Sequence, residues 1–392
     1  MHLLLAAKLA WSNTTADMQR LLVRCSGVTF AVVLMFMQTG FRNALFDSNV
    51  RIMEQKITAD IVLRTKSRFM LSSGQQMPLQ NVITARSCEG VAAAEPIYIE
   101  NVLSDFHCQG MASRKIRVLG FDPTNPFFEN FGLKHLANKL NQPMTAAADV
   151  KSKSMFGLPV NQQELVDRPF AELVNKELEL VGLFQCGINF SNDGTLAMTP
   201  QNFAKYFSMR GGGNPLSQVD YGVANCEKDS DPQIVAHRLQ RMLGPHVIVE
   251  TREQFLDSER NFWGNNTPIG LIFWVGTLIG FVVGLIICYQ VLATDIGDHM
   301  GEFATLKAMG YPPSFFTSVV VVQALLLSMV SFVPGFLIAL TAFGLINVNS
   351  GLIMFLNVPR TLTVLGLTIA MCVISGIIAL RKLLSADPAS LF

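Results

Sequence analysis

Four long apolar runs alternate with polar stretches along the chain, and one long mixed segment separates the first run from the second. Residues 21–42, LLVRCSGVTFAVVLMFMQTGFR, are enough to cross roughly 30 Å of hydrocarbon at about 1.5 Å per helical residue. Arg24 lies near the start of this run, where a long side chain can snorkel to the interface. Residues 267–293 and 315–346 carry no charge, and residues 362–381 form a fourth run closed by Arg381 and Lys382. The pattern predicts four transmembrane helices. Residues 1–20 open with MHLLLAAKLAW, an apolar stretch broken by Lys8 and followed by no small-residue cleavage site. They predict an interfacial helix with Trp11 at headgroup level rather than a removed signal.

Between residues 43 and 266 no window of about 19 residues is apolar enough to span a membrane. Short β-rich pieces (ADIVLRT, AEPIYIENV, RKIRVLGF, PHVIVET) are interleaved with helical patterns at residues 169–182, 232–244 and 250–263. Loops rich in Gly, Pro, Asn and Asp fall at residues 121–128, 189–194 and 211–215. The fold class expected is an α-helical membrane protein with four spans and an inserted α+β domain, large enough to bury its own core.

Residues 294–314 form a polar connection between the second and third runs, too short for a domain. Asp298 is placed to cap a helix there, Glu302 adds a carboxylate to its first turn, and Gly310 followed by Tyr311, Pro312 and Pro313 stops it. Phe303, Leu306 and Met309 fall three apart, with Glu302 and Lys307 on polar ground. Such a stripe can dock into a groove of a partner protein or lie on the lipid surface, and the spacing alone does not choose. In the second run Gly276, Gly280 and Gly284 recur every four residues, a ridge suited to close helix packing or to a dimer interface. In the third run Pro334 and Gly335 predict a kink or hinge, and Gln323 is its one strongly polar group. Residues 347–361, with Pro359 and Arg360, are the expected short loop before the fourth run, and residues 382–392 are the tail.

Composition fits two solvents: the 392 residues are 50% hydrophobic and 15% charged, with a mean hydropathy of +0.36. A net charge of +1 offers no case for nucleic acid as a partner. Lys8, Arg20, Arg24, Lys307, Arg381 and Lys382 on one side of the spans outnumber Arg360 in the short opposite loop, which predicts cytoplasmic termini and an extracytoplasmic domain. Of seven cysteines, Cys88, Cys108, Cys186 and Cys226 lie in the mixed segment and are candidates for disulfide pairing in an oxidising compartment, with three connectivities open. No phosphate loop, no HExxH or His/Cys metal spacing and no GxSxG elbow occurs, so neither a cofactor nor a metal is expected in this chain, nor catalysis by it.

Several strings resemble a known family. VTFAVVLMFMQTGFRNALFDS, TPIGLIF, GFVVGLIICYQVLATDIGDHMGEFATLKAMGY and SGIIALRKLLSADPASLF, with EPIYIENV, VLGFDPTNPFF and FSNDGTLAMTPQNF in the mixed segment, are similar to DevC-type permeases of the MacB/FtsX-like ABC exporters. The resemblance implies a non-catalytic subunit of the bacterial inner membrane with a periplasmic domain. It implies work as a homodimer or paired permease beside a separate ABC ATPase that holds ATP and Mg2+. A periplasmic adaptor of the membrane-fusion class and a TolC-like outer-membrane duct would complete the path for a glycolipid or another amphiphile. On this view Glu302, Phe303, Leu306, Lys307, Met309 and Gly310 couple to the ATPase. The alternative is an FtsX-like transducer that activates a cell-wall hydrolase; the size of the inserted domain, with room for an adaptor-binding face, favours the exporter.

Overall fold

The computed structural model describes residues 18–108, 110–189, 191–350, 354 and 356–384. The expected interfacial helix thus lies outside the described residues, apart from residues 18–20, which open the first long helix. Among the described residues four helices are long and apolar enough to cross a membrane. They run Met18–Arg51, Pro268–Asp298, Pro313–Ser350 and Val358–Leu384, and are called spans 1 to 4. The chain divides into two compact units: residues 45–267, and residues 1–44 with 268–392.

The helices run past the bounds expected for them. Span 1 continues beyond residue 42 and passes into a π-helical turn, Ile52–Lys56, because Val50, Ile52 and Met53 go on presenting an apolar side, buried in a core of the inserted domain. Span 3 extends through residue 350, into the expected loop. Span 4 begins at Val358, with Pro359 in its first turn, where a missing N–H costs nothing.

In the membrane unit, span 2 packs against spans 1 and 4. Many of its large side chains, among them Leu271, Ile272, Trp274, Leu278 and Ile279, stay exposed. A surface of that kind is unsuited to water and belongs in lipid or against another apolar partner.

The domain is built on one mixed sheet of eleven strands in the order β13-β1-β12-β3-β6-β10-β7-β9-β8-β4-β5. In chain order these are β1 Ile61–Thr65, β3 Val91–Glu100, β4 Asp105–His107, β5 Arg114–Lys115, β6 Arg117–Gly120, β7 Thr145–Asp149, β8 Phe170–Leu173, β9 Lys176–Phe184, β10 Thr195–Met198, β12 Tyr221–Cys226 and β13 Val247–Thr251. The short strands β2 Met77–Pro78 and β11 Gln218–Val219 pair separately. All neighbours are antiparallel except β6 with β10 and β7 with β9. Both faces are covered, which is why β7, TAAAD, is buried throughout. On β1, Ile61 and Leu63 enter one core with the helices Leu79–Ala85 and Pro232–Leu243, while Val62 between them enters the other, against Phe127, Phe128 and Phe255.

Residues 169–182, expected to be helical, instead form the hairpin of β8 and β9. Val174 and Asn175 turn it with φ of 52° and 57°, the paired left-handed conformation that matches strand twist. Pairing of β9 with β7 then outweighs the helix propensity of Lys, Glu and Leu in KELEL. The other two expected helices are present. Pro232–Leu243 is stopped by Gly244 at φ 76°, and Arg252–Asn265 carries a capping box between Thr251 and Gln254.

Candidate functional site

The connection between spans 2 and 3 contains the helix Met300–Ala308. Asp298, expected to cap it, is instead the last residue of span 2, whose helix takes in residues 294–298 and buries Asp295 and Ile296. The chain turns at His299, whose Nδ1 lies 2.9 Å from the Asp295 carbonyl oxygen and 3.8 Å from Asp295 Oδ1. The stop is as expected. Gly310 adopts φ 89° and the Tyr311 N–H donates to the Leu306 carbonyl at 3.3 Å, the six-to-one bond of a Schellman end. The Tyr311 ring lies 4.7 Å from that of Phe315 at the start of span 3.

Leu306 is half-buried and packs on the membrane-unit core beside Tyr311, whereas Met309 is exposed. These two positions of the expected stripe therefore face different surroundings. Glu302, Gly301, Ala304, Thr305, Ala308 and Gly310 are exposed as well. The side chains of Phe303 and Lys307 lie outside the described residues. The helix is thus anchored through Leu306 and presents Glu302, Ala304, Thr305 and Met309 outward.

The glycine ridge of span 2 is used within the chain. A Cβ on Gly276 would meet Gln38 Oε1 at 2.8 Å, and one on Gly280 would touch Met35 at 3.9 Å. A Cβ on Gly284 would meet Met371 Sδ at 2.5 Å and Ala31 Cβ at 3.0 Å. Removing the side chains lets span 1 and span 4 approach at a distance no larger residue allows. Pro334 lies inside span 3 without ending it. Gly335 is pressed by span 1, since its Cβ would lie 2.7 Å from Val32 Cγ1, and Thr29 Oγ1 donates to the Ser331 carbonyl at 3.1 Å. This hydroxyl joins span 1 to span 3 one turn before the Pro334-Gly335 pair. The pair is packed against span 1.

All four domain cysteines expected as disulfide candidates are free thiols. Cys186 has Arg117 as its neighbour at 3.7 Å, and burial pushes its thiol up to about 11. Cys108 lies against Gly157, and the half-buried Cys226 beside Asp60 is also raised to about 11 by burial. Each sulfur has its own surroundings, so the spacing along the sequence had no counterpart in space. Among the described residues no group of three or more His, Cys, Asp or Glu is placed to hold a metal.

The domain also contains a buried ion cluster that the sequence did not signal. Asp220 is 1% exposed and lies between Arg68, at 2.7 Å, and Arg210, with which it forms a second close pair. The Ile99 N–H donates to Asp220 Oδ2 at 2.7 Å, and the Arg68 guanidinium stacks 4.4 Å from the Tyr221 ring centre. Arg68 Nη2 donates to the Leu71 carbonyl at 2.9 Å, ordering the loop after β1. That loop is tied to Arg252–Asn265, the helix preceding span 2 in sequence. Glu259 Oε1 accepts from the Leu71 N–H at 2.8 Å and from Trp263 Nε1 at 3.2 Å. Burial pushes the Glu259 carboxyl up to about 7, against the opposing pull of these two donors, Arg64 and Arg68.

Residues 274–388 match the FtsX-like permease C-terminal family. The matched segment takes in most of span 2, the connecting helix, span 3 and span 4. No curated protein matches the chain at a significant level. Among solved structures, the periplasmic region of MacB from Actinobacillus actinomycetemcomitans is similar at 11% identity and a TM-score of 0.36, covering 53% of this chain and 96% of that one. The extracellular domain of the noncanonic ABC-type transporter YknZ from Gram-positive bacteria is similar at 8% identity and a TM-score of 0.34, covering 49% and 98%.

Proposed function

We propose that the chain is the membrane permease subunit of an ABC exporter of the MacB/FtsX-like family, of the DevC type. A separate ATPase binds and hydrolyses ATP with Mg2+ on the cytoplasmic side, where both termini lie. The connecting helix passes the resulting motion into spans 2 and 3, and the inserted domain, on the periplasmic side of the inner membrane, moves with it. Working as a dimer, the permease drives an amphiphilic cargo through a periplasmic adaptor and a TolC-like duct. The observation that carries this reading is the helix Met300–Ala308, which lies inside the FtsX-like match, is fixed through Leu306 and Gly310, and presents Glu302 and Met309 outward. A rigid, anchored helix with an exposed face can transmit force, whereas a flexible loop cannot.

The test is reconstitution of the full chain with the ABC ATPase that co-purifies with it. Met309→Asp places a charge on the exposed face without touching the core. The expected outcome is loss of ATPase binding by at least tenfold with unchanged thermal stability. Undiminished binding and unchanged permease-stimulated hydrolysis in this variant would refute the coupling role.

A further inference from the structure

Spans 2 and 4 meet along a run of small contacts. The Gly284 position is closed by Met371, Ser375 Oγ donates to the Leu285 carbonyl at 2.7 Å, and Gly376 approaches Leu292, whose Cδ1 would lie 3.4 Å from a Cβ there. In the middle of this run Cys288 Sγ lies 3.5 Å from Cys372 Sγ, and both residues are fully buried. The two sulfurs are in van der Waals contact, about 1.5 Å beyond the length of an S–S bond. A thiolate would be unstable in such dry surroundings, so a product left at this site must be neutral. A disulfide is neutral and complete with two sulfurs, whereas a bis-thiolate copper(I) site would be anionic and zinc needs further ligands, and among the described residues no group of three or more His, Cys, Asp or Glu is placed to hold a metal.

We infer that Cys288 and Cys372 form an oxidisable dithiol whose disulfide clamps span 2, which leads into the connecting helix, to span 4. Two S–H bonds break and one S–S bond forms. The two electrons and two protons pass to a bilayer-soluble two-electron acceptor, a diazene becoming a hydrazine or a quinone becoming a hydroquinone. With both sulfurs wholly covered by the helices, oxidation requires a local opening of the seam between spans 2 and 4, which an acceptor dissolved in the bilayer can reach and one confined to water cannot. Gly284, one turn before Cys288, lets span 4 approach span 2 here, since a Cβ on it would meet Met371 Sδ at 2.5 Å.

The experiment uses the full chain in lipid nanodiscs, treated with the membrane-permeant diazene diamide, then denatured, alkylated, digested and analysed by mass spectrometry. The expected result is a linked pair of peptides containing Cys288 and Cys372, with loss of alkylation at both, reversed by dithiothreitol. The clamp should also raise the unfolding temperature of the wild type and leave that of a Cys288→Ala/Cys372→Ala variant unchanged. Recovery of both residues as alkylated thiols after diamide would overturn the inference. So would linkage of Cys288 to another cysteine while Cys372 stays free.

Discussion

Glu259 ties the loop after β1 to the helix that precedes span 2, and its carboxyl makes that tie dependent on pH. In the folded domain burial raises it from 4.5 to about 7, so between these values the folded chain holds a proton that the unfolded chain has lost. Below about pH 4.5 both states are protonated and the group leaves stability unchanged. From there to about pH 7 stability falls as the unfolded chain ionises first, and above about pH 7 the loss is complete. At 1.36 kcal/mol per pH unit the full displacement corresponds to about 3 kcal/mol. Glu259→Gln keeps an acceptor oxygen for the Leu71 and Trp263 donors and removes the proton. The variant and the wild type should unfold together near pH 4.5. By pH 8 the variant should be the more stable by about 3 kcal/mol, roughly 6–12 °C for a domain of this size. Thermal unfolding of the two full-length proteins in the same detergent, followed by circular dichroism across that range, reads the difference directly. Parallel pH curves, or a gap that closes as pH rises, would refute the assignment of a buried proton to Glu259.

Asp220→Ala leaves the Arg68 and Arg210 guanidiniums buried without their shared carboxylate; the expected loss is about 3–5 kcal/mol, read as a fall in domain melting temperature of roughly 6–20 °C. Gly284→Leu must displace Met371 and Ala31 and should cost about 1–3 kcal/mol in detergent unfolding, whereas Gly366→Leu, in open space, should be tolerated. Val174→Asn relieves a β-branched residue held at φ 52° and should stabilise the domain by about 1 kcal/mol, measured by chemical unfolding.

The sequence carried the four spans because apolar length is a local signal, and it carried β1, β3 and β13 because their bounded β-rich runs are too. The stop of the connecting helix was equally legible, since Gly310, Pro312 and Pro313 act on their own neighbours. Its start was not: Asp298 looks like a cap, but span 2 runs on through it while Asp295 and Ile296 remain buried. The hairpin at residues 169–182 stayed hidden because Val174 and Asn175 turn without glycine and the strand partner, β7, lies well upstream. Asp220 and Arg68 are 152 positions apart, and no periodicity links residues that only the sheet brings together. For the same reason cysteine spacing suggested pairs in the domain, while the sulfurs in contact are those of two spans. The glycine ridge was readable as a packing surface, and only the structure identifies its partners as span 1 and span 4.

That ridge also sets the terms on which span 2 can meet anything beyond its own chain. Its narrow side is already filled by Ala31, Met35, Gln38 and Met371, so the side left outward is the broad one, with Trp274, Leu278 and Ile279 projecting from it. A helix from outside the chain cannot bring its backbone close there and must interlock with long, adaptable side chains. Such a surface can slide by a fraction of a turn and re-engage, as gear teeth do, and it can exchange lipid for protein without breaking a single hydrogen bond.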